Sequence, residues 1–233
     1  MKILDVDFED SISKLNQLYS RYRNNEKIVI KNESIDLTVL IKDFRIMSLC
    51  NEGVISHAGD ETLAAFTEIG LVPNVTSGDF RKIGYNVNGT MLCSGVCVAK
   101  DRDCKDHVHN LHQSAWSLFQ TLRLTNEFPI SLTIDDNRLI CAFTASGMDV
   151  TSKISNLMCE PFNTTLLEFA IATNSSITEG VDWSMNSVIN ESSEGIHIGL
   201  GDGIHCPHID LVMPYKNILD NISFKTATTA SCS

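Results

Sequence analysis

Residues 195–213 read GIHIGLGDGIHCPHIDLVM, and this run constrains the fold more than any other part of the chain. His197 stands between Ile196 and Ile198, and His208 and Asp210 flank Ile209. Alternation with period two sends residues i and i+2 to one face of an extended strand. The pattern therefore predicts two short strands, Ile196–Leu200 and His208–Met213, with Gly199, Gly201 and Gly203 permitting sharp turns and close backbone approach between them. Ionisable groups are costly inside apolar strands unless something compensates them. A hydrogen-bonded core position is the plain explanation for any one histidine. Two imidazoles and a carboxylate converging, with His205 as a third imidazole nearby, point instead to a bound metal ion.

The remaining periodicities predict a single α+β domain, with a mixed, largely antiparallel sheet and two to four helices. The 233 residues and 43% hydrophobic content suffice for one large core. Phe8, Ile12, Leu15, Leu18, Tyr19 and Tyr22 fall on one helical face. KIVIK at 27–31 and DLTVLI at 36–41 read as two strands around a turn at Asn32–Ser34. The segment 88–98 reads as a strand entered through an Asn88-Gly89 turn. A hairpin is expected across Asp135-Asp136-Asn137, and a helix over Met148–Met158. LLEFAIA at 166–172 is a buried strand carrying one acid, Glu168, which needs either a basic partner or a role. Ile218–Phe224 is expected to end the sheet. The domain is placed at residues 1–225, with 226–233 a disordered tail.

Charge narrows the partners. The net charge of −11, without a basic run, argues against nucleic acid and anionic membrane surfaces. The N-terminus lacks a secretory pattern, and no apolar run approaches a membrane span. The eight cysteines form no C-x-x-C pair and are expected to be reduced thiols in a cytoplasmic protein. A second polar cluster, Asp103, Cys104, Asp106, His107, His109 and His112, could offer ligands, but a solvated loop and helix start is the simpler reading. His57 stands isolated.

The succession EFAIATN at 168–174, GIHIGLGD at 195–202 and HIDLVM at 208–213 resembles the aminopeptidase T and aminopeptidase S metallopeptidases. Fainter echoes precede it: IDLTVLI at 35–41, VPNVTSGD at 72–79, NGTM at 88–91 and ISLTIDDNRLI at 130–140. The resemblance covers residues 10–224 and matches the metal-carrying second half of that family. It implies that Glu168, His197, His208 and Asp210 are metal ligands, for zinc or cobalt. Hydrolysis of a peptide or amide is the activity implied. Where the family has two adjacent acids, this chain has Gly78-Asp79. Where the family has a tyrosine after its strand histidine, this chain has Asp202, Gly203, Ile204 and His205. Asp79 is then the candidate base or extra ligand, and His205 the candidate acid or oxyanion partner.

A single acid at that loop suits one metal better than two. The chain is also similar to the 2,5-dihydroxypyridine dioxygenases, in which two histidines and an aspartate hold one iron(II). His197, His208 and Asp210 fit that set. A third reading is a catalytically inactive module that binds a peptide or small molecule. Because the other half of the family architecture is absent, self-association as a homodimer is expected.

Overall fold

The computed structural model describes residues 7–23, 25–50, 67–73, 83–178 and 180–225. Val54-Ile55, the Asn74–Asp79 loop and the 226–233 tail fall outside the described residues. The chain opens with α1 (Phe8–Tyr22), whose N-terminus is capped by the Asp7 carboxylate accepting from the Asp10 N–H at 3.0 Å. Acids in the first turn and Arg21 in the last suit the helix dipole. Leu15, Leu18 and Tyr22 form its buried stripe.

The strands build two six-stranded sheets in which every strand pairing is antiparallel. Those of the first are β1 (Lys27–Asn32), β2 (Ile35–Ile41), β5 (Tyr85–Cys93), β7 (Ile130–Asp135), β8 (Arg138–Phe143) and β12 (Ile222–Lys225), in the order β12-β1-β2-β5-β7-β8. The second runs β3-β4-β9-β10-β11-β6, from β3 (Met47–Cys50), β4 (Glu68–Leu71), β9 (Leu166–Ala172), β10 (Gly195–Leu200), β11 (His208–Pro214) and β6 (Gly95–Ala99). The expected α+β single domain is present, with its strands divided between two sheets. At Ser94 the chain leaves the first sheet and enters the second, and the Ser94 N–H donates to the Val212 carbonyl. Helix α2 (Asp106–Leu124) packs on β6, and two short helices, α3 (Thr151–Ser155) and α4 (Ser175–Thr178), complete the set among the described residues.

The first sheet has one buried face. Ile30 pairs with Leu37, Val39 with Val87, Met91 with Leu132 and Cys93 with Ile130, all fully buried or nearly so. The second sheet buries Ile69, Leu71, Phe169, Ile171, Ile196, Ile198, Ile209 and Leu211 in the same apolar cluster as the first sheet, α1 and α2. Burial of this size supplies the main driving force for the fold.

Two expectations are corrected. Asn88-Gly89 is no turn but lies inside β5, opposite Thr38 and Leu37. Gly89 is required for a different reason: its φ is +128°, and a Cβ there would sit 1.9 Å from the Asp36 carbonyl oxygen. The helix expected over Met148–Met158 shrinks to α3, because residues 144–150 fold back along β8. The Thr144 N–H donates to the Met148 carbonyl at 3.0 Å, and the Thr151 hydroxyl accepts from the Ala142 N–H at 2.8 Å.

Leu18→Ala is expected to cost about 2–5 kcal/mol in a urea unfolding titration, because its side chain is buried in the shared core. Exposed Gln17→Ala, one residue earlier, is expected to change stability by no more than about 0.5 kcal/mol.

Candidate metal centre

The second sheet has a different face from the first. Cross-strand registers put Glu168, Gly199, Asp210 and Cys97 in one row. Gly70, Ala170 and His197 form the next row, and Glu68 is opposite Ala172. Residues directly opposite share a face. This face therefore sets ionisable side chains among glycine, alanine, cysteine and Val212, while most large residues of the same strands point into the core. The small residues leave space above the sheet and the ionisable ones fill it.

Glu168 is the hub. Its Oε1 lies 3.5 Å from His197 Nε2 and its Oε2 lies 3.2 Å from His208 Nε2. His208 Nε2 is 2.9 Å from Asp210 Oδ1, and His197 Nε2 is 4.0 Å from Glu68 Oε2. Two ligand-bearing groups result, Glu68–Glu168–His197 and Glu168–His208–Asp210, each with its donor atoms within 4.8 Å of one another. Gly199 is the floor beneath them. A Cβ on it would meet His208 Cε1 at 2.7 Å and Glu168 Cβ at 2.8 Å.

His208 is held from behind. Its Nδ1 is 2.7 Å from the Gly201 carbonyl, which can only accept, so Nδ1 carries a proton and Nε2 is the atom presented to the carboxylates. His197 is almost fully buried, and its Nδ1 has no hydrogen-bond partner. Glu68 Oε2 and Asp210 Oδ1 are likewise buried without one. Among the described residues, no lysine or arginine forms an ion pair with Glu68, Glu168 or Asp210. Two imidazoles and several acids whose ligand atoms converge, with no lysine or arginine paired to the acids among the described residues, make a donor set suited to a cation. The residues fit a divalent cation, and oxygen with imidazole donors suits zinc, cobalt or iron(II) alike.

The electrostatics follow from burial and proximity. Burial pushes the Glu68 carboxyl up to about 7, with the Glu168 and Asp210 charges adding to the rise. Burial would also raise Glu168, but the two imidazoles facing it hold it below the usual carboxylate range. Burial acts to lower His197, yet Glu168, Glu68 and Asp210 together raise it to about 10. His208 is raised by Asp210 and Glu168 against the same opposing effect. Glu191, on a 3-10 turn at Val188–Ser192, sits against Asp210; burial and that neighbour push its carboxyl well up.

The cluster is more deeply covered on its Asp210 side than at Glu168 and His208. Cys97 Sγ donates to the Ser187 carbonyl, Asn186 bonds both the N–H and the carbonyl of Val98, and the Trp183 ring lies over Gly95. His197 and Asp210 side chains are 2% exposed, whereas Glu168 is 17% and His208 22% exposed. Among these side chains, Glu168 and His208 are the ones with partial solvent exposure.

Glu168, His197, His208 and Asp210, singled out from the sequence, all meet here. Asp79 and His57 lie outside the described residues. His205 belongs to neither ligand-bearing group; it is on an exposed loop, with Nδ1 2.7 Å from Asp202 Oδ2 and its ring stacked on Phe162. The 103–112 cluster forms no donor group among the described residues. His107 contacts the His205 carbonyl, His109 contacts Gln113 and His112 contacts the Val98 carbonyl. Sequence reasoning missed Glu68 and Glu191. Glu68 carries only a faint signal, an acid opening the short apolar run EIGL at 68–71. Glu191 sits in a polar stretch and carries none.

Gly199→Ala is expected to destabilise the chain by about 1–3 kcal/mol in a denaturant titration, by driving His208 and Glu168 apart. With cations stripped by a chelator, the melting temperature is expected to fall as pH rises from about 6 to about 10. A carboxyl raised in the folded state, such as Glu68, costs stability once pH exceeds its unfolded value, and the cost is complete above about 7. A raised imidazole such as His197 contributes stability that is lost as pH climbs toward about 10. The depressed Glu168 keeps its contribution throughout this window. Glu68→Gln should flatten the lower part of the decline in a pH series of thermal melts.

Among solved structures, the chain is similar to wild-type AmpT from Thermus thermophilus, with 14% sequence identity and a TM-score of 0.45. The match covers 82% of this chain and 41% of that one, so the chain spans less than half the length of the protein it matches. No curated protein matches it. No helix among the described residues is long and apolar enough to cross a membrane. The family profile of the crocagin biosynthetic protein CgnE/B matches residues 1–218, and the chain belongs to that family.

Proposed function

We propose that this protein is a metal-dependent hydrolase of a peptide or amide bond, with a divalent cation held by Glu68, Glu168, His197, His208 and Asp210. One observation carries the reading: Glu168 belongs to both ligand-bearing groups. A carboxylate shared in this way, with an imidazole near each oxygen and a further acid in each group, would supply the negative charge that divalent cations need. When bound, such cations polarise a carbonyl oxygen and acidify water near neutral pH. The chain's own residues do the rest. His208, fixed through Gly201, presents Nε2 on the exposed side of the cluster. The missing side chains of Gly199 and Gly70 let His208 and Glu168 lie close over the sheet, which keeps the ligand atoms together. The covering segment with Trp183 and Asn186 excludes water from the Asp210 side, which strengthens every charge interaction there. The family's description as biosynthetic makes an amide in a biosynthetic intermediate the substrate class we infer.

The iron dioxygenase reading rests on His197, His208 and Asp210 as a set of two imidazoles and one carboxylate. It leaves Glu68 and the shared position of Glu168 without a role, so it ranks second. The inactive binding module ranks third.

The test is an assay of chelator-stripped chain on aminoacyl and peptidyl chromophoric amides, with zinc or cobalt restored. Cleavage that requires the added cation and falls at least about 100-fold in Glu168→Ala is expected. Oxygen uptake on a dihydroxylated ring with iron(II), and no amide cleavage with any cation, would replace this reading with the dioxygenase.

A further inference from the structure

We infer that Asp202 is a positioning residue that sets the orientation of the His208 ring through the backbone of the β10–β11 loop. The inference rests on the proposed cation site for its purpose, but on the loop alone for its geometry. Asp202 lies on the exposed loop, yet its side chain is only 6% exposed, beside a His205 that is 64% exposed. Its Oδ1 accepts from the N–H groups of Ile204 at 3.0 Å, His205 at 2.8 Å and Cys206 at 3.4 Å. Its Oδ2 faces His205 Nδ1 at 2.7 Å. One carboxylate thus gathers three consecutive backbone donors, which closes the loop into a tight arch.

The arch has one product of consequence. Gly201, at φ +76°, turns so closely on Pro207 that a Cβ would lie 2.1 Å from the Pro207 carbonyl oxygen. That turn aims the Gly201 carbonyl at His208 Nδ1, 2.7 Å away. A carbonyl at that place fixes both the ring plane and the protonated nitrogen. It leaves Nε2 facing Glu168 and Asp210. Metal-binding imidazoles are commonly held this way by a group that touches no metal, and removing such a partner weakens metal affinity about 10–100-fold. Here the orienting group is a backbone carbonyl, which no substitution can delete. The side chain that holds the carbonyl in place is therefore the one to change. Neighbouring segments brace the arch without replacing Asp202: the Asp101 N–H donates to the Gly203 carbonyl, and Cys159 Sγ donates to the His205 carbonyl.

This reading assigns different roles to two adjacent polar residues. Asp202 acts through its oxygens on backbone N–H groups, so Asn at that position preserves the essential acceptor. His205 is held by Asp202 rather than holding it, so its side chain is dispensable for orienting His208.

The experiment compares full-length wild type, Asp202→Ala, Asp202→Asn and His205→Ala by two readouts. The first is nitrogen-15 NMR of the His208 ring in the cation-free chain, where the Nδ1 proton bonded to Gly201 should exchange slowly with solvent. The second is zinc affinity by competition with a chromophoric chelator. Asp202→Ala should lose the slowly exchanging proton and weaken zinc binding at least about 10-fold. Asp202→Asn and His205→Ala should stay within about 3-fold of wild type (under about 0.7 kcal/mol) and keep the proton. An Asp202→Ala chain whose His208 signal and zinc affinity match wild type overturns the inference. If wild type binds no zinc, the cation reading fails, and the NMR comparison alone decides whether Asp202 orients the ring.

Discussion

Charge balance in a low-dielectric space is the constraint on which the rest of this structure depends. Glu68, Glu168, Glu191 and Asp210 crowd against two imidazoles, and the described residues supply no lysine or arginine to neutralise them. Water is nearly excluded from His197 and Asp210. Like charges at such distances oppose one another strongly once solvent screening is lost. Without an added cation the cluster relieves itself by sharing protons, which is why Glu68 and Glu191 rise while His197 and His208 become strong bases. A divalent cation relieves the same crowding without protons. Functional sites are where such tension is kept.

The sheet makes this arrangement affordable. Strands β4, β9 and β10 of the second sheet split their described residues between large apolar side chains on the core face and small or ionisable ones on the other. The core face secures stability, so the opposite face is free to be built for chemistry. Gly199 shows the division most clearly. Its neighbours Ile198 and Leu200 are fully buried in the core, while its missing side chain is what lets His208 and Glu168 meet. A sheet carrying large residues on both faces would have no space for a site, and one with small residues on both faces would have no core.

This division explains what was legible in the sequence. Glu168, His197, His208 and Asp210 could be read because each interrupts a run of large apolar residues, and period-two alternation puts them on one face wherever the strands lie. The first two strands and α1 were legible for the same reason of period. Glu68 was harder, because the four-residue strand β4 is too short for periodicity to separate it from a loop. Its role appears only when Ala172 is seen beside it. Glu191 belongs to a polar 3-10 turn, and only tertiary packing brings it to Asp210. Asn88-Gly89 misled because the commonest use of that pair is a turn, whereas Gly89 serves the close approach of β2. His205 drew attention by its spacing, but Asp202 and Phe162 claim it. Sequence order cannot show which of two neighbouring polar residues faces inward.

X-ray absorption spectroscopy of the cobalt-loaded chain tests the central claim most directly, because it reads the atoms around the cation regardless of any activity. The account predicts nitrogen and oxygen neighbours at about 2.0–2.2 Å, with the multiple scattering that imidazole rings produce and no sulfur, although Cys97 lies in the same row as Asp210. A sulfur shell at about 2.3 Å, or a shell of water oxygens without imidazole, would contradict it.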